Sequence, residues 1–367
     1  MQQAMAALVC IDDFEAYART HLSKYAFDYF SCGAQEQQTL QDNKDAFKRL
    51  RLLPRLMRDV SNRDLSTTIL GQRISFPIAI SPTAKHCLAH PDGEIATAKA
   101  ASSMQTGMVI SHRSTKRLED IAVASPEGLK WFQLNIYKDR SLVQHLIQRA
   151  EKAGYKGIVV TIDSVVIGKK YSMIRHKKGL PHPYRFENLM EYGFTNEELR
   201  SESKSARLKD ETLTWRDIDW IKSVTSLPII LKGILTAEDA HNAVLHKADA
   251  IIVSNHGGRL LDGVLATIDA LPEVVQAVRG SDIEVYLDGG IRKGTDVLKA
   301  LALGAKAVFV GRPVLWGLAT DGEAGVKKVL QILRDEFDIA MALSGCKTLK
   351  EITPDLVERR PVISSNL

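Results

Sequence analysis

Cysteine is scarce in this chain of 367 residues, with only Cys10, Cys32, Cys87 and Cys346. They lie too far apart for a CxxC pair or a Cys/His ligand spacing, so free thiols in a reducing compartment are expected and a metal centre is not. Long hydrophobic runs are missing as well. None approaches the ~20 apolar residues that span a bilayer, and the first residues lack the basic, apolar and small-residue succession of a secretory signal. Neither a membrane span nor secretion is expected. Positive charge is nowhere concentrated: the net +5 comes from Lys and Arg dispersed along the chain. A nucleic-acid binder carries a basic stripe, so this surplus suits small anionic molecules and no nucleic acid.

What the chain does have is apolar material for a core, at 45% hydrophobic against 25% charged residues. Helical spacing of apolar and aromatic residues predicts a helix from Asp12 through Phe30 and a more polar one from Thr39 to Phe47. From Phe76 onward, short β-prone runs alternate with helical stretches, the mark of a parallel sheet. The runs are Phe76 to Ser81, Gly107 to Ser111, Leu129 to Leu134, Gly157 to Ile162, Leu227 to Leu231, Ala250 to Val253, Glu284 to Leu287 and Ala307 to Val310. Eight successive β/α units point to an α/β fold closed as a (β/α)8 TIM barrel. The expected organisation is one domain over 1–367: N-terminal helices in 1–75, the barrel in 76–345 and a tail in 346–367. After the fourth strand a long Lys-, Glu- and Ser-rich segment, 169–214, reads as a lid loop or a solvated insertion. Gly322 to Ser344 reads as helix, and the chain from Thr353 as irregular.

Barrel active sites form at the C-terminal mouth, and here every strand ends in polar residues. The ends are Pro82-Thr83-Ala84, Ser111-His112-Arg113, Gln133 with Asn135, Thr161 with Asp163, Lys232, Ser254-Asn255-His256, Asp288-Gly289-Gly290, and Gly311-Arg312. One polar end is a cap or a turn, whereas eight together suggest a mouth holding a large polar ligand. Glycines and arginines after strands seven and eight suit a phosphate, because glycine lets backbone amides approach an anion. His256 can accept a proton near neutral pH, and Arg259, three residues on, can hold a carboxylate at two points. Asp163 could orient that imidazole.

The run Ile251 to Asp262, IIVSNHGGRLLD, and the run Tyr286 to Pro313, YLDGGIRKGTDVLKALALGAKAVFVGRP, resemble the FMN-dependent 2-hydroxy-acid oxidase and dehydrogenase family. The similarity extends from CIDDFE at Cys10, through WFQLNIYKDR around Gln133, to ALSGC ending at Cys346. The likeness to glycolate oxidase and the animal (S)-2-hydroxy-acid oxidases implies oxidation of an (S)-2-hydroxy acid to a 2-oxo acid, with oxygen reduced to hydrogen peroxide. It implies FMN as cofactor, contacted by Pro82, Thr83, Ala84, Ser111, Gln133, Thr161, Lys232 and Ser254. Asp288, Gly289, Gly290, Ile291, Arg292, Gly311 and Arg312 would hold the ribityl and phosphate portion. His256 would be the catalytic base beside Asp163, and Tyr29 would join Arg259 on the substrate carboxylate. A homotetramer is implied as well.

Several mouth positions depart from the family pattern. Asn135 stands in place of a tyrosine, Lys170 in place of an arginine, Arg113 in place of an aromatic residue and Lys85 in place of an apolar one. These changes reshape the substrate pocket, either toward another substrate or toward an FMN-binding protein without turnover. Arg113 would face a second anionic group on the substrate, or turn outward to pair with an acid such as Glu119. A dehydrogenase passing electrons to another acceptor is the remaining alternative. The final Ser365-Asn366-Leu367 resembles a peroxisomal S-K-L address without its basic middle residue; otherwise the expected location is cytoplasmic.

Overall fold

A computed structural model describes residues 7–176, 180–195, 198–199 and 207–359. Its centre is a closed barrel of eight parallel strands in chain order: β1 (Ile78–Ile80), β2 (Gly107–Ser111), β3 (Leu129–Leu134), β4 (Ile158–Thr161), β5 (Ile229–Ile234), β6 (Ala250–Val253), β7 (Glu284–Asp288) and β8 (Ala307–Val310). All eight expected runs supply a strand. Closure pairs Val308 of β8 with Ile78 of β1, so the barrel has no open edge.

Side chains alternate across each strand. One parity, with Ala79, Val109, Trp131, Val159, Ile230, Ile252, Tyr286 and Phe309, packs the barrel interior; Ile69 and Ile74, from a hairpin of Thr67–Ile69 and Gln72–Ile74, join them. The other parity, with Ile80, Ile110, Phe132, Val160, Leu231, Val253, Leu287 and Val310, packs outward in the main core with the surrounding helices. Two residues beyond the last interior layer, the inward parity reads Ser81, Ser111, Gln133, Thr161, Lys232, Ser254, Asp288 and Gly311. The switch from apolar to polar at this level makes the mouth a binding floor rather than core.

The structure differs from the expectations in several places. The helix expected from Asp12 through Phe30 is two, α1 (Ile11–His21) and α2 (Lys24–Ser31), because Ser23 accepts the backbone N–H of Ala26 and caps a new helix. Strand β5 runs on to Ile234 through a bulge, placing Lys232 within the strand. The C-terminal helix starts at Arg312 and kinks at Asp321-Gly322, where a left-handed glycine breaks the ladder. Between Thr353 and Arg359 the chain is not irregular, since Val357–Arg359 pairs antiparallel with Leu50–Leu52.

α3 (Gln38–Asp45) completes an N-terminal layer that docks on the mouth near β6. Asn43 and Asn255 exchange side-chain hydrogen bonds at 2.9 and 2.8 Å, and Ala34 N donates to Gly258 O. The segment after β4 is more ordered than expected, carrying helices Tyr171–His176 and Glu187–Met190 and burying Leu180, Phe186 and Leu189. Its residues 177–179, 196–197 and 200–206, and the tail 360–367 with Ser365-Asn366-Leu367, lie outside the described residues. Among the described residues no helix is long and apolar enough to cross a membrane, and the four cysteines are unpaired.

Candidate functional site

The C-terminal mouth opens into a cavity of about 1530 Å³ including its entrance. It is lined by residues from the ends of all eight barrel strands, from Ser81 of the first to Gly311 of the last. Of the residues singled out from sequence, Tyr29, Pro82, Thr83, Ala84, Ser111, Arg113, Gln133, Asn135, Thr161, Lys170, Lys232, His256, Arg259, Asp288–Arg292, Gly311 and Arg312 line it, as does Lys85. Asp163 and Ser254 do not. They sit one layer behind, supporting the side chains that do.

At the floor, Lys232 ties three strands together. Its ammonium donates to Ser254 Oγ at 2.7 Å and lies 3.0 Å from Asp288 Oδ2, which also accepts from Ser81 Oγ. Asp288 Oδ1 is buried without a partner. On the opposite side, Gln133 Nε2 donates to Thr161 Oγ1 and Asn135 Oδ1, both at 2.9 Å. Two further lining residues, to which the sequence assigned no role, meet here. His112 Nδ1 meets Gln133 Oε1 and its Nε2 meets Tyr137 Oη at 2.6 Å. Burial, joined by the Arg113 charge, pulls the His112 imidazole down to about 3, so it stays neutral. Because Gln133 Oε1 can only accept, Nδ1 carries the hydrogen and Nε2 accepts from the tyrosine.

His256 follows β6 in a left-handed backbone conformation, φ 57°, and its Nδ1 lies 3.0 Å from Asp163 Oδ1. Burial alone would raise the Asp163 carboxyl. The His256 charge and hydrogen bond, with Lys232 and Lys209, outweigh it and hold the group below the ordinary carboxylate range. Gly233 makes room for this pair, because a Cβ there would lie 2.7 Å from Asp163 Cβ. Arg259 Nη1 donates to the carbonyls of Tyr29 and Cys32 at 2.8 and 2.9 Å, which fixes the guanidinium at the rim between α2 and β6.

After β7 and β8 the donors fit a phosphate. Arg292 Nε is buried without a partner. Burial lowers the Arg292 and Arg312 guanidinium pKa values; the charges of Arg259 and Arg292 lower Arg312 further, while Glu15, Asp12 and Asp296 act on Arg292 in the other direction. A bound anion would offset the burial of both cations. Arg312 also donates to Phe30 O, Gly257 O and Cys32 O, locking the N-terminal layer onto the mouth. Gly290 has φ 83° and its missing Cβ would meet Asn43 O at 1.9 Å. Gly290→Ala is therefore expected to lower stability, from roughly 1–2 kcal/mol of left-handed strain and roughly 1–3 kcal/mol of overpacking. Weaker FMN retention should accompany the loss. Denaturant midpoints and recovery of free-flavin fluorescence measure both, and an unchanged pair would show that this turn tolerates a side chain.

Comparison with known proteins agrees with this geometry. The model of the FMN-dependent dehydrogenase family matches residues 18–359. 2-Hydroxyacid oxidase 1 of Mus musculus is 50% identical over 98% of this chain and 99% of its own length, and glycolate oxidase of Spinacia oleracea is 49% identical over 94% of each. Mandelate oxidase solved with benzoyl-formic acid superposes with a TM-score of 0.87 at 37% identity, covering 96% of this chain and 99% of that one. A variant of that enzyme solved with (S)-mandelic acid gives 0.86 at the same identity and coverage. With the family model matched over nearly its whole length and half its residues shared with such relatives, the chain belongs to the FMN-dependent dehydrogenase family.

Proposed function

We propose that this protein oxidises an (S)-2-hydroxy acid to the 2-oxo acid and passes the electrons to oxygen, giving hydrogen peroxide. One observation carries the reading: the His256 imidazole and the Arg259 guanidinium line the same cavity, with Asp163 ionised behind the imidazole. When bound, FMN supplies the two-electron redox chemistry. The chain's residues supply placement and proton handling. Arg259, already anchored on two carbonyls, and Tyr29 hold the substrate carboxylate, which fixes the α-carbon relative to His256. His256 takes a proton from the substrate, and Asp163 orients it and stabilises the imidazolium that forms. Lys232, held between Ser254 and Asp288 at the floor, would supply a cation able to stabilise negative charge taken up by the bound cofactor. Arg292, Arg312 and the Gly289-Gly290 turn hold the phosphate.

Two electrons and two protons leave the acid, and oxygen takes up both. Aerobic incubation with an (S)-2-hydroxy acid should therefore yield one 2-oxo acid and one peroxide for each acid consumed. A 2-oxo acid formed without peroxide would instead assign the electrons to another acceptor. The reading includes a homotetramer, which light scattering measures. It also includes a peroxisomal address at Ser365-Asn366-Leu367, motivated by those three residues and by a peroxide-forming reaction. A fluorescent protein ending in them should become punctate in peroxisomes, and a diffuse signal with the full-length protein as well would remove that part.

A further inference from the structure

Three cations follow one another along one wall of the cavity, spaced by two aromatic rings. Lys85 Nζ lies 3.9 Å from the centre of the Tyr29 ring, and Arg259 Cζ lies 5.2 Å from that same centre. The Lys85 ammonium is also 5.6 Å from the Phe186 ring, over which Arg113 Cζ sits at 4.4 Å. Lys85 thus shares one ring with the arginine assigned to the substrate carboxylate and the other with Arg113. Lys170 and Lys209 line the cavity too, and its only carboxylate among the described residues is Asp288 at the floor. Glu119, the acid expected as an outward partner for Arg113, is engaged by Arg149 and Arg117.

The backbone adds an independent observation. Among the described residues, two non-glycine residues that line the cavity have left-handed φ, His256 at 57° and Lys85 at 66°. A lysine held in that strained region, with 5% of its surface exposed, matches the pattern of strain kept at functional positions.

We propose that the substrate is a 2-hydroxy diacid, whose second carboxylate is held by Arg113 and Lys85 while Arg259 holds the first. This rests on the functional reading given above. Arg113 Cζ lies over the Phe186 ring, and a guanidinium held against an aromatic ring can still hydrogen-bond a carboxylate through its N–H groups. Lys85 adds a point charge between the two arginines.

The test compares (S)-malate and (S)-2-hydroxyglutarate with their side-chain amides, which match them in size and lack the second charge. In anaerobic flavin reduction by the holoprotein, the better diacid should show an apparent dissociation constant about 10- to 100-fold below that of its amide. Arg113→Gln and Lys85→Met should each remove most of that difference and change the constant for glycolate less. A redox-inert arm titrates the oxidised holoprotein with oxaloacetate and with pyruvate, read by the visible flavin spectrum, and oxaloacetate should bind more tightly. Equal binding of diacid and amide, or a preference that survives both substitutions, would overturn the proposal. Reduction by none of the acids would instead sink the functional reading. The oxaloacetate and pyruvate titration would still decide the diacid, with tighter oxaloacetate supporting it and equal binding overturning it.

Discussion

His256→Gln is expected to slow anaerobic reduction of the flavin by substrate at least ~100-fold, the low end for losing a general base, while the protein stays yellow. Glutamine retains a hydrogen-bonding amide near the position of the ring but cannot take up a proton. The histidine is prepared for that task by its surroundings. Asp163 Oδ1 fixes Nδ1 at 3.0 Å, and the carboxyl is kept ionised against its burial by His256, Lys232 and Lys209. A proton arriving on the imidazole therefore meets a negative charge already in place. Stopped-flow absorbance of the flavin gives the rate constant, and the resting spectrum shows whether FMN is retained. A variant that holds FMN and is reduced at the wild-type rate would remove His256 from the chemistry.

Arg259→Met should lower kcat/KM by about 2–5 kcal/mol, the cost of removing one partner from a buried charge pair. Lysine is no substitute here. Arg259 spends Nη1 on the carbonyls of Tyr29 and Cys32, and only a guanidinium fork can keep that anchor and still present further donors to a carboxylate. The same bonds tie α2 to the mouth, so denaturant unfolding of the variant separates lost anchoring from lost substrate binding. Steady-state kinetics in a variant of near-wild-type stability provide the test. An unchanged kcat/KM there would mean that another group clamps the carboxylate.

The barrel was legible because parallel strands are buried on both faces and read as unbroken apolar runs. The position two residues beyond the last interior side chain of each strand, from Ser81 round to Gly311, marks where interior packing gives way to the site. Local pattern failed where the deciding contact is distant in sequence. The pairing of Val357–Arg359 with Leu50–Leu52 leaves no local trace. Lys209 enters the cavity from a segment without periodicity, far along the chain from Asp163. Ser23 did carry a usable signal, a capping serine in the midst of helical spacing, but the apolar period ran on across it. His112 and Tyr137 stood beside Ser111 and Asn135, and only their mutual contact and the one to Gln133 single them out. Asp163 and Ser254 look like mouth residues by position, whereas side-chain packing puts them behind Lys232 and His256.

The central claim is that the mouth residues oxidise a 2-hydroxy acid at a bound flavin and return the electrons to oxygen. Mixing the wild-type holoprotein with a panel of (S)-2-hydroxy acids without oxygen, and then admitting air, tests both halves in one cuvette. The account predicts that at least one acid bleaches the flavin and that air restores the colour with release of hydrogen peroxide. A flavin that stays yellow with every acid, or one that bleaches and is not reoxidised by air, would contradict it.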